Sequence, residues 1–233
     1  MHPFLAIAAI ALVLAAQALG SSPAAAESDP QRSASSVRLV LPVRYVSQLA
    51  ERAPAWWRGQ GTPYCVAASA AMILSGSDIP LPEAPLAVLF ARGHAANRTD
   101  DPGIDPAGAL ELLDQYGGAE ILSAREKGEA MAMLRRELDD GNPSIVMTKA
   151  GAHAVVVFGY EADAGGDLRS LYVADPLSGV FGPIAIAEWL GSSVWWRDRF
   201  SAPGREWQGA YVFVPYRMES FRPAFDDLRV AAL

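Results

Sequence analysis

Helical patterns come first in this chain and strand patterns come last, and this order limits the folds it can adopt. Small and apolar residues fill the segment CVAASAAMIL, from Cys65 to Leu74, which predicts a buried helix. Four runs rich in β-branched and aromatic residues follow later, namely PSIVMT, HAVVVFGY, RSLYVAD and AYVFVP. Helices followed by an antiparallel sheet predict an α+β fold, with a helical lobe packed on the sheet.

Three further helices are predicted between these two regions. A short helix is expected near Glu83 to Ala91, after a proline-rich link. Another begins at Pro106, with Asp105 as the N-cap. The amphipathic segment KGEAMAMLRREL forms the last one and ends before Gly141. The segment AEILSA, which lies between these two helices, is a candidate strand.

The N-terminus has the pattern of a signal peptide. An apolar stretch from Phe4 to Leu19 is followed by the small residues PAAAES, with a cleavage site near Ala26. The stretch is short for a membrane span and Gln17 interrupts it, so we expect no stable membrane insertion after cleavage. The protein is therefore expected to be exported, to a periplasm or outside the cell. The expected organisation is a signal peptide (1–26), a flexible lead-in (27–37), one folded domain (38–216) and a C-terminal tail (217–233).

Charge and metal-ligand content exclude some classes of protein. The formal net charge is −7, which argues against a nucleic-acid partner. One cysteine and few histidines argue against a metal site, and we expect no cofactor. The acidic segment NRTDDPGID does not fit an EF-hand, and we interpret it as a solvated loop and a helix cap. The oligomeric state is not indicated by the sequence.

The chain contains one cysteine, Cys65, so it cannot form an intrachain disulfide. The ordinary alternative for such a residue is a small buried apolar side chain. Cys65, however, stands at the predicted N-terminus of a buried helix, where unpaired N–H groups and the helix dipole favour an anion. A thiolate there is a candidate nucleophile, and the same N–H groups could bind the oxyanion of a tetrahedral intermediate.

A cysteine nucleophile needs a base, and the chain has three histidines. His2 lies in the predicted signal peptide, and His94 lies in what we interpret as a polar loop. His153 begins the apolar run HAVVVFGY, where a polar ring must find partners. A buried structural histidine is the alternative role. If the protein is a Cys–His enzyme, His153 is the predicted base.

Asp175 is the candidate for orienting that base. It ends the strand that follows the one His153 begins, and antiparallel pairing would place the two side by side. A carboxylate there would accept the N–H of the second ring nitrogen and fix the tautomer. The alternative is an ordinary turn residue, since Asp-Pro is a common turn dipeptide.

A side-chain donor usually completes the oxyanion hole of an acyl-transfer enzyme. Gln60, five residues before the cysteine in GQGTPYC, and Gln48, at the end of RYVSQ, are the two candidates. Either could instead be a solvated loop amide.

Three segments in this order, QGTPYCVAASAAMILSG, GAHAVVVFGYE and LYVADPLSG, resemble the papain-like bacterial cysteine peptidases. The similarity is greatest to the double-glycine-leader (bacteriocin-processing) peptidases and their standalone secreted relatives, and it spans about Val40 to Pro215. The segment LPVRYVSQ also resembles the usual start of these proteins. Val66 departs from the pattern, because the family usually has glycine or a bulky aromatic residue after the cysteine.

The resemblance implies that residues 38–216 form a papain-like peptidase domain, which acts on peptide or protein substrates. It also implies that Cys65 is the nucleophile, His153 the general base and Asp175 its orienter, with Gln60 or Gln48 in the oxyanion hole. The function predicted on this basis is hydrolysis of peptide bonds through a thioester intermediate.

Two alternatives remain open at this point. The segment QGTPYCVAAS also resembles phytochelatin-synthase-like enzymes, which implies a γ-glutamyl-cysteine transpeptidase using the same three residues. The other alternative is a catalytically inert peptide-binding module on a peptidase scaffold. In that case Trp56, Trp57, Trp195 and Trp196 would form a binding surface, although paired tryptophans also serve in ordinary packing.

Overall fold

The computed structural model describes residues 36–57, 59, 62–77, 85–191, 196, 199–201 and 206–217 of the 233-residue chain. The predicted signal peptide lies outside these residues, as does all of the predicted tail except Arg217. The helices are α1 (Cys65–Ser75), α2 (Leu86–Ala95), α3 (Pro106–Asp114), α4 (Lys127–Asp139) and α5 (Ile186–Gly191). The strands are β1 (Val37–Val40), β2 (Gly118–Ala119), β3 (Leu122–Ala124), β4 (Ser144–Thr148), β5 (His153–Ala162), β6 (Leu168–Ala174), β7 (Phe181–Ala185) and β8 (Tyr211–Arg217).

The strands form one antiparallel sheet across the part of the chain that the structure describes. Its order is β2-β8-β4-β5-β6-β7, and β3 also pairs with β8. Strand β5 is central: β4 pairs with its first half and β1 with its second half along the same edge, while β6 covers the other edge. The predicted α+β class, with helices packed on an antiparallel sheet, is confirmed.

The register of the central strands brings two strand ends together. In the β4–β5 hairpin Thr148 pairs with His153, so the turn lies immediately before His153. In the β5–β6 pair Val156 lies opposite Ala174, the last residue of β6. The start of β5 and the end of β6 therefore lie side by side, at the same end of the strands.

Helix α1 is buried along almost its whole length. Its residues from Val66 to Leu74 are all buried, and Ala67, Ala68 and Ala70 have no exposed surface. Small side chains on every face let α1 lie close both to its neighbouring helices and to β5. The helix ends at Gly76, where a Cβ atom would lie 1.8 Å from the carbonyl oxygen of Pro42. Only glycine permits this close approach of the segment that follows β1.

Helix α2 corrects one of the sequence predictions. The predicted helix near Glu83 to Ala91 continues to Ala95, and residues 78–84 lie outside the described part of the chain. The interpretation of His94 as a polar-loop residue is therefore wrong, because His94 lies in the last turn of α2. Its ring stacks on Phe90 with a centroid separation of 5.5 Å. Gly93 does not end the helix, because it packs closely against Ile104.

Other elements follow the predictions more closely. Asp105 caps α3 by accepting hydrogen bonds from the N–H groups of Ala107 (2.8 Å) and Gly108 (3.0 Å). The candidate strand AEILSA is divided between the short strands β2 and β3. Strand β7 and helix α5 were not predicted from the sequence. Among the helices described, none has the length and apolar character that crossing a membrane requires.

Candidate active site

A cleft of about 460 Å³ opens between the start of α1 and the start of β5. Residues from both elements line it, so the cleft lies at the boundary between the helices and the sheet. The lining residues are Gln48, Trp57, Thr62, Pro63, Cys65, Val66, Asp101, Pro102, Gly103, Ile104, Lys149, Ala150, Gly151, Ala152, His153, Leu177 and Ser201.

Cys65 is the first residue of α1 and lies half-buried in this cleft. The N–H groups of the first turn have no carbonyl four residues earlier within the helix, and no acidic side chain occupies that turn. The sulfur atom therefore lies at the positive end of the helix dipole, beside donors that can stabilise negative charge developing in the cleft.

His153 is the first residue of β5, and only 4% of its surface is exposed. Its Nε2 atom lies 2.7 Å from Oδ1 of Asp175. The thiol of Cys65 lines the same cleft as the ring and lies near enough to it to help raise the pKa of His153. Because Nε2 is engaged by the carboxylate, Nδ1 is the nitrogen left for the sulfur atom. The imidazole thus connects the nucleophile to the carboxylate.

Asp175 follows the last residue of β6 and is 2% exposed. Besides His153, its Oδ1 atom accepts a hydrogen bond from the N–H of Leu177 at 2.8 Å. Its Oδ2 atom accepts one from the hydroxyl of Ser178, also at 2.8 Å. Both carboxylate oxygens are therefore held, which restricts rotation of the side chain. Ser178 was missed by sequence reasoning, although an aspartate followed by serine three residues later is a turn signal that could have indicated it.

The environment separates the pKa values of the acid and the base. Burial lowers the pKa of His153, but hydrogen bonds to Asp175 and Cys65 and their negative charges outweigh it and raise this pKa to about 9. Burial raises the pKa of Asp175, but the hydrogen bond and charge of His153, with the donors Leu177 and Ser178, lower it to about 2. An imidazolium and a carboxylate therefore coexist at neutral pH.

Of the two glutamine candidates, the structure describes only Gln48. Gln48 is 3% exposed, starts a 3₁₀ turn and lines the cleft together with Cys65. Its Nε2 atom donates to the carbonyl oxygen of Thr62 at 3.0 Å. Gln60 lies outside the described residues. Gln48 is thus a side-chain amide that the described structure places in the same cleft as the nucleophile.

The turn before His153 has a strained backbone. Lys149 and Ala150 have positive φ angles of 52° and 58°, a region that residues other than glycine rarely adopt. The carbonyl oxygen of Ala150 accepts hydrogen bonds from the backbone N–H of Ser201 at 3.2 Å and from its hydroxyl at 3.1 Å. These contacts hold the turn in place, and with it the start of β5. No sequence signal indicated this conformation.

Among the tryptophans that the structure describes, Trp56, Trp57 and Trp196 do not form one surface. Trp196 is 4% exposed and stacks on Tyr211 at 4.9 Å, so its assignment to a binding surface is wrong: its ring is needed in the core. Trp195 lies outside the described residues. Trp57 lines the cleft, and Trp56 is 54% exposed and packs against the ring of Phe90.

Among the described residues, no group of three or more His, Cys, Asp or Glu side chains is arranged to hold a metal ion.

Comparison with protein-family models gives a match that contains the site. The family model described as Peptidase_C39 like family matches residues 40–188, which is more than half of the 233 residues. The matched segment contains Gln48, Cys65, His153 and Asp175. No curated protein matches the chain.

A solved structure is also similar, at low identity. The crystal structure of UfSP from C.elegans matches with a TM-score of 0.44 and 14% sequence identity, over 81% of this chain. The present chain spans only 35% of the length of that one.

Proposed function

This chain belongs to the family described as Peptidase_C39 like family and is a cysteine peptidase of papain-like fold, and we propose that it is exported and hydrolyses peptide bonds through a thioester on Cys65. One observation supports this mechanism above all others. The thiol of Cys65 and the ring of His153 line one cleft and interact, and the same ring is held by the carboxylate of Asp175. This order of nucleophile, base and orienting group is the arrangement that acyl transfer requires.

In the acylation step, the Cys65 thiolate attacks the carbonyl carbon of the scissile peptide bond. A C–S bond forms and the carbonyl π electrons move to oxygen, which becomes an oxyanion. The Nε2 amide of Gln48 and the unpaired N–H groups at the start of α1 are the candidate donors to that oxygen. When the tetrahedral intermediate collapses, the C–N bond breaks and imidazolium His153 gives its Nδ1 proton to the leaving amine.

In the deacylation step, neutral His153 accepts a proton from water through Nδ1. The resulting hydroxide attacks the thioester carbonyl, and the C–S bond breaks with return of the electron pair to sulfur. The thiolate and the imidazolium are thereby restored. Throughout both steps, Asp175 keeps its hydrogen bond to Nε2, which fixes the tautomer and stabilises the imidazolium.

Peptide or protein substrates follow from membership of a peptidase family. Export is proposed from the apolar N-terminal stretch and the small residues after it. Expression of the chain in a bacterium with its own N-terminus tests export directly. The expected result is a secreted or periplasmic product whose N-terminus lies near Glu27, read by Edman degradation. Retention of the intact chain in the cytoplasm would contradict the proposal.

The catalytic proposal is tested with Cys65→Ala on a library of peptides. The wild-type chain is expected to cleave a subset of them, and the variant is expected to lose this activity by several orders of magnitude without unfolding. Ser75→Ala serves as the matched control, because it changes the last residue of the same helix, whose hydroxyl donates to the backbone carbonyls of Met72 and Arg44 and does not line the cleft. Equal cleavage by Cys65→Ala and wild type would end the mechanism.

A second arm of the same experiment separates hydrolysis from transfer. The wild-type chain is incubated with glutathione, and the products are analysed by mass spectrometry. The proposal predicts no γ-glutamyl-cysteine extension of glutathione. Chain-extended products that disappear in Cys65→Ala would instead assign the chain as a transpeptidase with the same nucleophile.

A further inference from the structure

We propose that Thr62 is a positioning residue of this active site, which holds the side-chain amide of Gln48 with an N–H free for the oxyanion. The inference rests on the proposed function, because it assigns a task within the acyl-transfer reaction. It concerns a residue that is three positions before the nucleophile and lines the same cleft.

Thr62 and Gln48 hold each other by two well-formed hydrogen bonds. The Nε2 atom of Gln48 donates to the carbonyl oxygen of Thr62 at 3.0 Å. In return, the hydroxyl of Thr62 donates to the backbone carbonyl of Gln48 at 2.7 Å. One residue thus binds both the main chain and the side chain of the other, which fixes the position and the direction of the amide.

The carbonyl of Thr62 also selects which way the amide faces. A carbonyl oxygen can only accept, so the NH₂ group of Gln48, and not its oxygen, must point toward it. The Oε1 atom of Gln48 is then buried without a hydrogen-bond partner in the described structure. The NH₂ group has two hydrogens. One is donated to the Thr62 carbonyl, and the remaining contact of Nε2 with Thr62, to the hydroxyl oxygen, is long (3.5 Å), so it holds the second hydrogen only weakly and leaves it for the cleft. Reversing the amide would remove that donor from the site.

The backbone of Gln48 is hydrogen-bonded to the turn that contains Asp175. Its backbone N–H donates to the carbonyl oxygen of Pro176 at 3.0 Å, and Pro176 is the residue after Asp175. The hydroxyl of Tyr45 donates to the carbonyls of Asp175 (3.3 Å) and Pro176 (3.4 Å). Gln48 therefore connects the turn beside the sheet to the loop that leads into α1, and Thr62 provides the connection to that loop.

The consequence for catalysis is specific to charged tetrahedral states. Removing a single oxyanion donor costs about 10²–10³ in kcat in well-studied enzymes. Loss of the Thr62 hydroxyl leaves the amide in place but no longer fixed, so we expect part of that loss, about 10- to 50-fold in kcat, with KM changed less than about threefold. Alkylation of Cys65 forms no oxyanion, so its rate should be unchanged.

The test compares Thr62→Val, which removes the hydroxyl at nearly constant volume, with Thr62→Ser, which keeps it. Thr62→Val should lose kcat and bind a peptide aldehyde at least about tenfold more weakly, because the hemithioacetal places an oxyanion in the same position. Thr62→Ser should retain both to within about threefold. Iodoacetamide should alkylate all three proteins at the same rate. In a Gln48→Ala background, Thr62→Val should cause no further loss of kcat, since the residue it positions is absent.

Wild-type kcat and aldehyde affinity in Thr62→Val would overturn the inference and leave the proposed function intact. A loss in Thr62→Val that is equally large in the Gln48→Ala background would also overturn it, because the effect would then be structural. If Thr62→Val does not fold, Thr62→Ala takes its place with the same expected results. If the wild-type chain neither cleaves peptides nor binds the aldehyde, the proposed function itself is wrong, and this inference with it.

Discussion

The Nε2 atom of His153 and the Oδ1 atom of Asp175 lie 2.7 Å apart, and both side chains are almost fully buried. His153 begins β5 and Asp175 directly follows β6, the strand hydrogen-bonded to β5, so the pairing of these strands brings the two side chains together. Because the pair is desolvated, its charges are mutually dependent: loss of either one changes the protonation of the other. The following predictions use this dependence and the packing around it.

Replacing Asp175 should move the alkaline limit of activity to lower pH. The pKa of His153 is raised to about 9, in part by the hydrogen bond and the charge of Asp175. In the wild type, kcat/KM should therefore fall as the pH rises through about 9, where the imidazolium is lost. In Asp175→Ala the pKa of His153 should fall toward its ordinary value of 6.5, and activity should be lost at correspondingly lower pH.

The measurement is the pH profile of kcat/KM, together with an NMR titration of the His153 ring. Asp163→Ala is the matched control, because Asp163 is an exposed-turn carboxylate between β5 and β6 that caps local backbone N–H groups. An unchanged alkaline limit in Asp175→Ala would show that the carboxylate does not govern the base.

The free energy of unfolding should also depend on the protonation of His153. Its pKa is raised from 6.5 to about 9 on folding, so the folded chain binds this proton more tightly. The stabilisation is fully present below pH 6.5 and is lost as the pH rises through about 9. Between pH 6 and pH 9.5, urea unfolding of wild type should show a loss on the order of 1–3 kcal/mol that His153→Gln does not show. Parallel curves for the two proteins over this range would refute the assignment.

The two glutamines should differ in their effect on catalysis. Gln48→Ala should reduce kcat by about 10²–10³ with little change in KM, because a donor to the oxyanion is removed. Gln60→Ala is the natural comparison, and we expect it to retain activity to within about threefold. Steady-state kinetics on one cleaved peptide decide between them. The reverse result, with Gln60 required and Gln48 dispensable, would assign the oxyanion donor to the loop before Cys65.

A pair of glycine substitutions tests how β1 packs on the central strand. A Cβ at Gly159 would lie 2.3 Å from the carbonyl oxygen of Leu39, so Gly159→Ala must displace β1. We expect a loss of about 1–3 kcal/mol in the free energy of unfolding. A Cβ at Gly128, in the first turn of α4, would meet no atom within 4 Å. Gly128→Ala should keep the stability or raise it by up to about 1 kcal/mol. Thermal unfolding measures both, and equal melting temperatures for the two variants would contradict the packing.

The positions of Cys65, His153 and Asp175 at element ends could be predicted because local residues mark those ends. Small and apolar residues begin directly at Cys65, and an apolar strand begins at His153. Asp175 stands between a strand and a proline. Antiparallel pairing of consecutive strands then suffices to bring the base and the carboxylate together. This part of the site depends on short-range pattern and one simple rule of topology.

The glutamine could not be chosen from the sequence, because its environment depends on distant contacts. The segment between Gln48 and Cys65 has no periodic pattern that would define its path. The position of Gln48 depends on hydrogen bonds to Thr62 and to Pro176, which follows another strand. The helical position of His94 could not be predicted for the same reason. It depends on tertiary contacts, namely the packing of its ring on Phe90 and of Gly93 against Ile104. Tertiary packing decides such cases, and local propensity does not.

The base begins one strand and its carboxylate directly follows the neighbouring strand of the same sheet, whereas the sulfur nucleophile belongs to a helix that packs against that sheet. A perturbation that separates α1 from the sheet, such as pressure or mild denaturant, would therefore abolish activity while the hydrogen bond between His153 and Asp175 remains. Inactivation and unfolding would then be two distinct events, with α1 moving first.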